Sequence, residues 1–257
     1  MQLDYVSVEK RGAIAIVRFD RKENLNAFSK KLVDELTVVG RSFQDDLQIH
    51  GIVLSGPKTH FSGGADLRDR EMWDLGHLSD LERRTVFYAG VRLCRIWEEL
   101  PQLTVCAMER IVVGAGIALG MACDWRVLNR SGYIYVPETK IGVNLQWGAL
   151  PRLVSLVGAA RAKRITLMQE KMGAPMALDW GIIDAMAEDG QSEETALRML
   201  RTVLDQTPPV TVRLMKEAIN ATAYPLHRAS GFADADQAQL TATFAEAVKA
   251  REDFRKR

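Results

Sequence analysis

Two glycine-rich segments and one glutamate are the residues of this sequence whose types and spacing can do chemistry. Phe61-Ser62-Gly63-Gly64-Ala65-Asp66 and Gly114-Ala115-Gly116-Ile117-Ala118-Leu119-Gly120 each lie between a strand-like run and a helix-like run. Such a turn lets backbone N–H groups point together at an anion, because glycine and alanine leave room for close approach and a helix N-terminus adds partial positive charge. One segment alone reads as a tight turn with close helix–strand packing. Two of them point to an oxyanion hole. Glu138, directly after Pro137, reads by itself as a solvated residue at a helix start; as a catalytic group in an apolar pocket it would have its pKa raised toward the working pH. Gly114-Ala115-Gly116 also opens like a dinucleotide fingerprint, with Glu138 near the distance of a ribose-binding acid. Gly120 falls one residue late for that pattern and the segment lies deep in the chain, so the fingerprint reading fits badly.

The elements that must position these residues follow from periodicity. Tyr5 to Glu9 and Ala13 to Phe19 read as a hairpin across Lys10-Arg11-Gly12. Ser29 is a plausible N-cap for a helix carrying Leu32, Val33, Leu36, Val39 and Phe43. Ile49 to Ser55 is a buried strand that leads through Gly56-Pro57 to the first glycine turn. Arg68 to Asp80 is poorly periodic, a loop or short helix, and Leu81 to Leu100 is one long helical stretch stopped by Pro101. Leu103 to Met108 is a strand entering the second turn; Trp125 to Leu128 and Tyr133 to Val136 are strands after it. From Pro137 the pattern is helical, apart from a strand-like Ala185 to Glu188, and it stays helical to the end. The order argues an α/β core with a helical C-terminal extension.

Phe61 to Leu67, Gly114-Ala115-Gly116 through Ala122-Cys123-Asp124, and Pro137-Glu138 with Gly142 resemble the crotonase family, also called the enoyl-CoA hydratase/isomerase family. Asn24-Leu25-Asn26-Ala27 and Ala177-Leu178-Asp179-Trp180-Gly181-Ile182-Ile183-Asp184 resemble it too. The resemblance implies a crotonase-like α/β spiral of repeated β-β-α units over residues 1–195, with helices over 196–257 that build trimers, often paired as hexamers. It implies an acyl-CoA thioester as substrate, an enolate as intermediate, and no separate cofactor, since coenzyme A is part of the substrate. Carried over by position, the oxyanion donors are the backbone N–H groups of Ala65 and Ala115. The proton-transfer residue is Glu138. The pocket is lined by Gly64, Asp66, Gly114, Ala118, Asn144, Gln146 and Trp147. Coenzyme A contacts fall on Lys22, Asn26, Ala27 and, from a neighbouring subunit, Lys249.

Hydratases of the family use two glutamates, and at the first of those positions this sequence has Ala118. Water addition needs one group to activate water and another for the Cα proton, whereas moving a double bond needs one shuttling base. An enoyl-CoA isomerase is therefore the expectation; the alternative is a hydratase whose water is held by backbone groups or by Gln146, or another enolate reaction on acyl-CoA. Trp73 is a candidate lid. His60 reads as a surface-loop residue and Asp66 as a helix cap. A non-catalytic or RNA-binding protein on the same scaffold is a third reading, but the first helix offers only Lys30, Lys31 and Arg41 with Asp34 and Glu35 between them.

Composition narrows the remaining classes. With 257 residues, 26% charged and 47% hydrophobic, the chain reads as an ordinary globular protein. Lys and Arg total 34 against 33 Asp and Glu, a net charge of +1, so bulk charge attracts neither nucleic acid nor anionic lipid. Cys94, Cys106 and Cys123 lack metal or disulfide spacing. The first residues do not read as a signal peptide, and no uncharged run reaches the roughly 18 residues of a membrane span, so a soluble, cytoplasmic protein is expected.

Overall fold

A computed structural model of the chain describes residues 3–223, 231 and 233–255. Strands β1 (Val6–Arg11), β2 (Ile14–Phe19), β3 (Gly51–Ser55), β4 (Leu103–Met108), β6 (Trp125–Asn129) and β9 (Ala185–Ala187) form one sheet in that order. Only the β1–β2 hairpin is antiparallel. A second sheet, in the order β5 (Ile111–Val113), β7 (Tyr133–Tyr135), β8 (Met172–Gly173), stands beside it. Successive strands therefore step from the large sheet to the small one, β4 to β5 and β6 to β7, which is the expected spiral.

Strands β2, β3, β4 and β6 of the large sheet are buried on both faces, which explains their nearly continuous apolar sequences. Ala15, Val17, Ile52, Leu54, Cys106 and Met108 join the main core with helices α1 (Lys30–Ser42) and α4 (Ala89–Glu98). Their neighbours Ile14, Ile16, Val53, Val105 and Ala107 face the other way, toward α8 (Ser192–Leu204) and Val212 of α9 (Pro209–Ala223). The expected boundary at 195/196 falls inside α8. Its Ala196, Leu197 and Leu200 are buried in the sheet, and Glu109 secures its start by accepting the N–H groups of Gly190 (3.1 Å) and Ser192 (3.0 Å). Structurally, α8 belongs with the strands.

Ser29 caps α1 as expected, accepting from Leu32 N–H at 3.2 Å. The expected Leu81 to Leu100 helix is two, α3 (Asp80–Phe87) and α4, joined at Tyr88, with a capping box between Ser79 and Glu82 starting the first. The irregular segment before them contains one short helix, α2 (Arg70–Trp73), and its cap is Asp69, not Asp66. After Pro137 come a 3₁₀ turn (Glu138–Ile141), an extended strap, α6 (Ala149–Lys163) and α7 (Ala174–Asp179). Helix α5 is Ala115–Gly120. Helices α10 (Asp234–Thr243) and α11 (Ala245–Arg255) fold back over α3 and the 3₁₀ turn: Arg84 pairs with Asp236 at 2.7 Å and Ala247 lies against Gly142. Among the described residues, no helix is long and apolar enough to cross a membrane.

The buried Glu35 of α1 holds the chain's beginning. It accepts hydrogen bonds from the N–H groups of Asp4 (3.1 Å), Tyr5 (2.9 Å) and Val6 (3.1 Å). Glu35→Ala leaves these donors without their acceptor and is expected to cost about 3 kcal/mol in urea unfolding. A loss below about 1 kcal/mol would show that the β1 end does not depend on this carboxylate.

Candidate active site

The two glycine turns touch. Val113 N–H donates to Ser62 O at 3.0 Å and Ser62 N–H to Ile111 O at 2.9 Å, so the first turn lies along β5 as the second turn begins. Gly64 packs on the backbone of Val113, where an added β-carbon would stand 3.4 Å from Val113 O. Each candidate donor follows a glycine with positive φ, Gly64 at +97° before Ala65 and Gly114 at +46° before Ala115. These angles turn the next peptide N–H away from the path an ordinary residue would give it. Among the described residues, neither the Ala65 nor the Ala115 N–H has a backbone or side-chain acceptor. Ala115 occupies the first helical position of α5, a conformation alanine adopts without strain, so its methyl in place of the family's usual glycine leaves the donor intact.

Glu138 reaches the same place through the small sheet. Strands β5 and β7 run parallel with Val113 beside Tyr135, and Gly114 N–H donates to Tyr135 O at 3.0 Å. The chain ends leaving these two strands therefore emerge together, one carrying Ala115 and the other Glu138. The contact is close enough that a β-carbon on Gly114 would collide with Glu138 Oε1. Thr139, bonded to Thr166 O at 2.7 Å, and Gly142, at φ +72° against Ala247, fix the turn that presents the glutamate.

A cavity of about 530 Å³ opens at this junction. Gly64, Ala65, Asp66, Gly114, Ala115, Ala118, Glu138, Asn144, Gln146 and Trp147, all expected at the site, line it, as does Ala27. Trp73 lines it too, with its indole N–H on Asp66 O at 3.0 Å and its ring edge-on to Phe87. Asp66 is committed elsewhere: its carboxylate pairs with the buried Arg21 at 2.8 Å and accepts from Asn24 Nδ2 and Arg68 N–H. The Asn26 expectation is corrected. Its side chain is fully buried, accepting from Arg21 N–H at 2.9 Å and donating to Phe61 O at 2.9 Å and Phe19 O at 3.3 Å, so it braces the first turn. Its neighbour Asn24 lines the cavity instead. Lys22 is exposed outside the cavity, and Lys249 is exposed on α11 and does not line the cavity of its own chain. His60, bonded to the Thr59 hydroxyl, also lies outside it.

The sequence reading missed Tyr133 and Tyr135, which with Ile111 and Val113 form one wall. Their alternation on β7 was a readable signal, but the three-residue β5 that pairs with them was too short to recognise.

The electrostatics single out Glu138. The residue keeps some exposed surface, yet Oε2 is buried without a hydrogen-bond partner. Desolvation of the charged form pushes its pKa up to about 7. The fold therefore favours the neutral acid, and ionisation costs stability as pH rises from the ordinary value of 4.5 through 7. Glu138→Gln, neutral at every pH, should match the parent protein near pH 4 and exceed it above pH 8 by on the order of 3 kcal/mol. Denaturant curves at both pH values check this, and a pH-independent difference would contradict the raised pKa.

The family model described as enoyl-CoA hydratase/isomerase matches residues 9–255. A short-chain-enoyl-CoA hydratase of Clostridium acetobutylicum is 27% identical over 221 residues, 86% of this chain and 82% of that protein. A 1,2-epoxyphenylacetyl-CoA isomerase of Escherichia coli is 26% identical over 219 residues, 85% and 83% respectively. The crystal structure of an enoyl-CoA hydratase from Bacillus halodurans superposes with a TM-score of 0.88 at 20% identity, over 97% of this chain and 100% of that one. With the family match running from β1 into α11, and two glycine turns and a glutamate converging on one cavity, the chain belongs to the enoyl-CoA hydratase/isomerase, or crotonase, family of acyl-CoA enzymes.

Proposed function

We propose that this protein moves a carbon–carbon double bond in an enoyl-CoA thioester, with Glu138 as the only proton shuttle. The observation that carries the reading is that, among the described residues, Glu138 is the one cavity-lining carboxylate without a committed partner: Asp66 is held by Arg21, and Ala118 stands where a second carboxylate would be. The thioester oxygen accepts from the Ala65 and Ala115 N–H groups. Glu138 in its ionised form takes a proton from C2 of a 3-enoyl group, and the electron pair spreads into a dienolate whose charge rests on that oxygen. The same carboxyl returns the proton at C4, leaving the conjugated 2-enoyl thioester. Donors fixed before the reaction stabilise this charge more than the neutral ground state, each by roughly 3 kcal/mol. A pKa of about 7 keeps both base and acid forms populated near neutrality.

A second reading, water addition to a 2-enoyl-CoA, rests on a different observation. Asn144 Oδ1 is buried without a partner and Gln146 also lines the cavity, so this wall offers polar groups that can orient a water molecule. The hydratase names of relatives favour it as well.

Assays with 3-enoyl-CoA and 2-enoyl-CoA separate the two. Isomerisation is expected to dominate, with kcat/KM rising with pH through about 7 as Glu138 ionises. Glu138→Gln should lower it by about 10²- to 10⁴-fold. Fast reversible hydration of 2-enoyl-CoA with little isomerisation would replace the first reading by the second. Ala118→Glu is expected to raise hydration.

The oligomer expectation draws support from α9, where Val210, Leu214, Met215 and Ile219 are all more than half exposed on a helix anchored from within by Lys216. We expect light scattering to give a homotrimer or hexamer; a monomer at micromolar concentration would contradict it.

A further inference from the structure

The cavity runs from an exposed mouth at Asn24, Leu25 and Arg68 to a buried end at Val33, Ala89, Gly90 and Trp147. Trp147 closes that end in a backbone conformation it does not favour. Its φ is +65° and that of Gly148 is +67°. Glycine takes such angles freely, whereas a bulky residue does so only where its surroundings hold it.

What holds it is a set of buried charges. Arg152 Nη1 donates to Trp147 O at 3.1 Å and to Gly148 O at 3.0 Å, while its Nε donates to Glu98 Oε1 at 2.7 Å. From α10, Asp234 Oδ2 accepts the Gly148 N–H at 2.8 Å. Arg152 and Asp234 are only 6% and 7% exposed, respectively. Burying charges is costly unless each is paired and bonded, so this arrangement commits three helices, α4, α6 and α10, to one turn. The indole it presents stands edge-on to Phe28, centroids 5.4 Å apart, and presses on Gly90 so closely that any β-carbon there would collide with it. Trp147 itself is 6% exposed.

We propose that Trp147 is the specificity-determining residue of this cavity, its indole setting the length of the acyl chain that the buried end accepts. The proposal rests on the acyl-CoA reading above. The acyl tail enters past Glu138 and the oxyanion donors and stops against the indole. A smaller side chain would open the space between Phe28 and Gly90 to further methylenes. Glycine at 147 also suits the left-handed backbone, so Trp147→Gly removes the wall and relieves strain in the turn.

The test uses the full chain and isothermal titration with saturated butanoyl-, octanoyl- and dodecanoyl-CoA, which bind without being turned over. Trp147→Gly should raise the affinity for dodecanoyl-CoA relative to butanoyl-CoA by about fourfold per methylene newly buried, at least about tenfold in all. Trp147→Phe, which keeps an aromatic wall of smaller size, should give a smaller rise of about fourfold and stands in if the glycine variant does not fold. A ratio within twofold of the parent in the folded variants would overturn the assignment of Trp147 while leaving the acyl-CoA reading intact. Failure of the parent protein to bind any of the three would overturn that reading, and this proposal with it.

Discussion

The contact between the bare Cα of Gly114 and the carboxylate of Glu138 is the constraint on which the site depends. Two demands meet at this glycine. It must adopt a positive φ to aim the Ala115 N–H, and it must lack a side chain because Glu138 occupies the space where one would be. Both demands come from the parallel pairing of β5 and β7, which delivers the two chain segments side by side. Once the segments are so close, solvent is excluded from Oε2 and the proton affinity of Glu138 rises. One geometric requirement thus leaves the Ala115 N–H without an acceptor and brings the pKa of Glu138 to about 7.

The rest of the molecule can be understood by where its buried polar groups find partners. Glu35, Glu109, Asp124 and Arg126 are satisfied by backbone or side-chain bonds and serve to join elements: chain start to α1, α8 to β4, β4 to α9, and β6 to the segment before β9. The Arg21–Asp66 pair does the same for the first glycine turn. Buried polar atoms without a partner occur away from the cavity, at Arg21 Nε, His50 Nδ1 and Gln102 Oε1, and also at it. Among the described residues that line it, Glu138 and Asn144 each keep a buried polar atom without a partner. An unsatisfied buried group costs stability, and these two line the cavity, where a bound ligand can complete their bonding.

How much was legible in the sequence depended on whether the controlling interaction was local. The Ser29 cap, the β1–β2 hairpin and both glycine turns were readable because the residues that decide them are adjacent. The resemblance carried Ala65, Ala115 and Glu138 as separate motifs, but only the β5–β7 register explains why they meet. Strand β5 was unreadable because Ile111-Val112-Val113 is a uniform apolar run without alternation, and the break at Tyr88 because that residue keeps helical angles, φ −79° and ψ −10°, between α3 and α4. Asn26 read as a contact for coenzyme A because the resemblance places such contacts on this segment; its partners, Phe19 and Phe61, are brought to it by tertiary packing. Trp147 read as a pocket residue, but its left-handed backbone and the Arg152 and Asp234 bonds that hold it arise from elements far apart in sequence.

The proposed reaction requires a proton to leave the carbon beside the thioester for Glu138 while the Ala65 and Ala115 N–H groups hold the charge. Solvent exchange at that carbon tests it most directly. Proton NMR of a saturated acyl-CoA in D₂O with the enzyme should show loss of the C2 proton signal, with a rate that rises as Glu138 ionises near pH 7 and vanishes in Glu138→Gln. Exchange at an undiminished rate in Glu138→Gln, or none with the parent protein at pH 8, would contradict it.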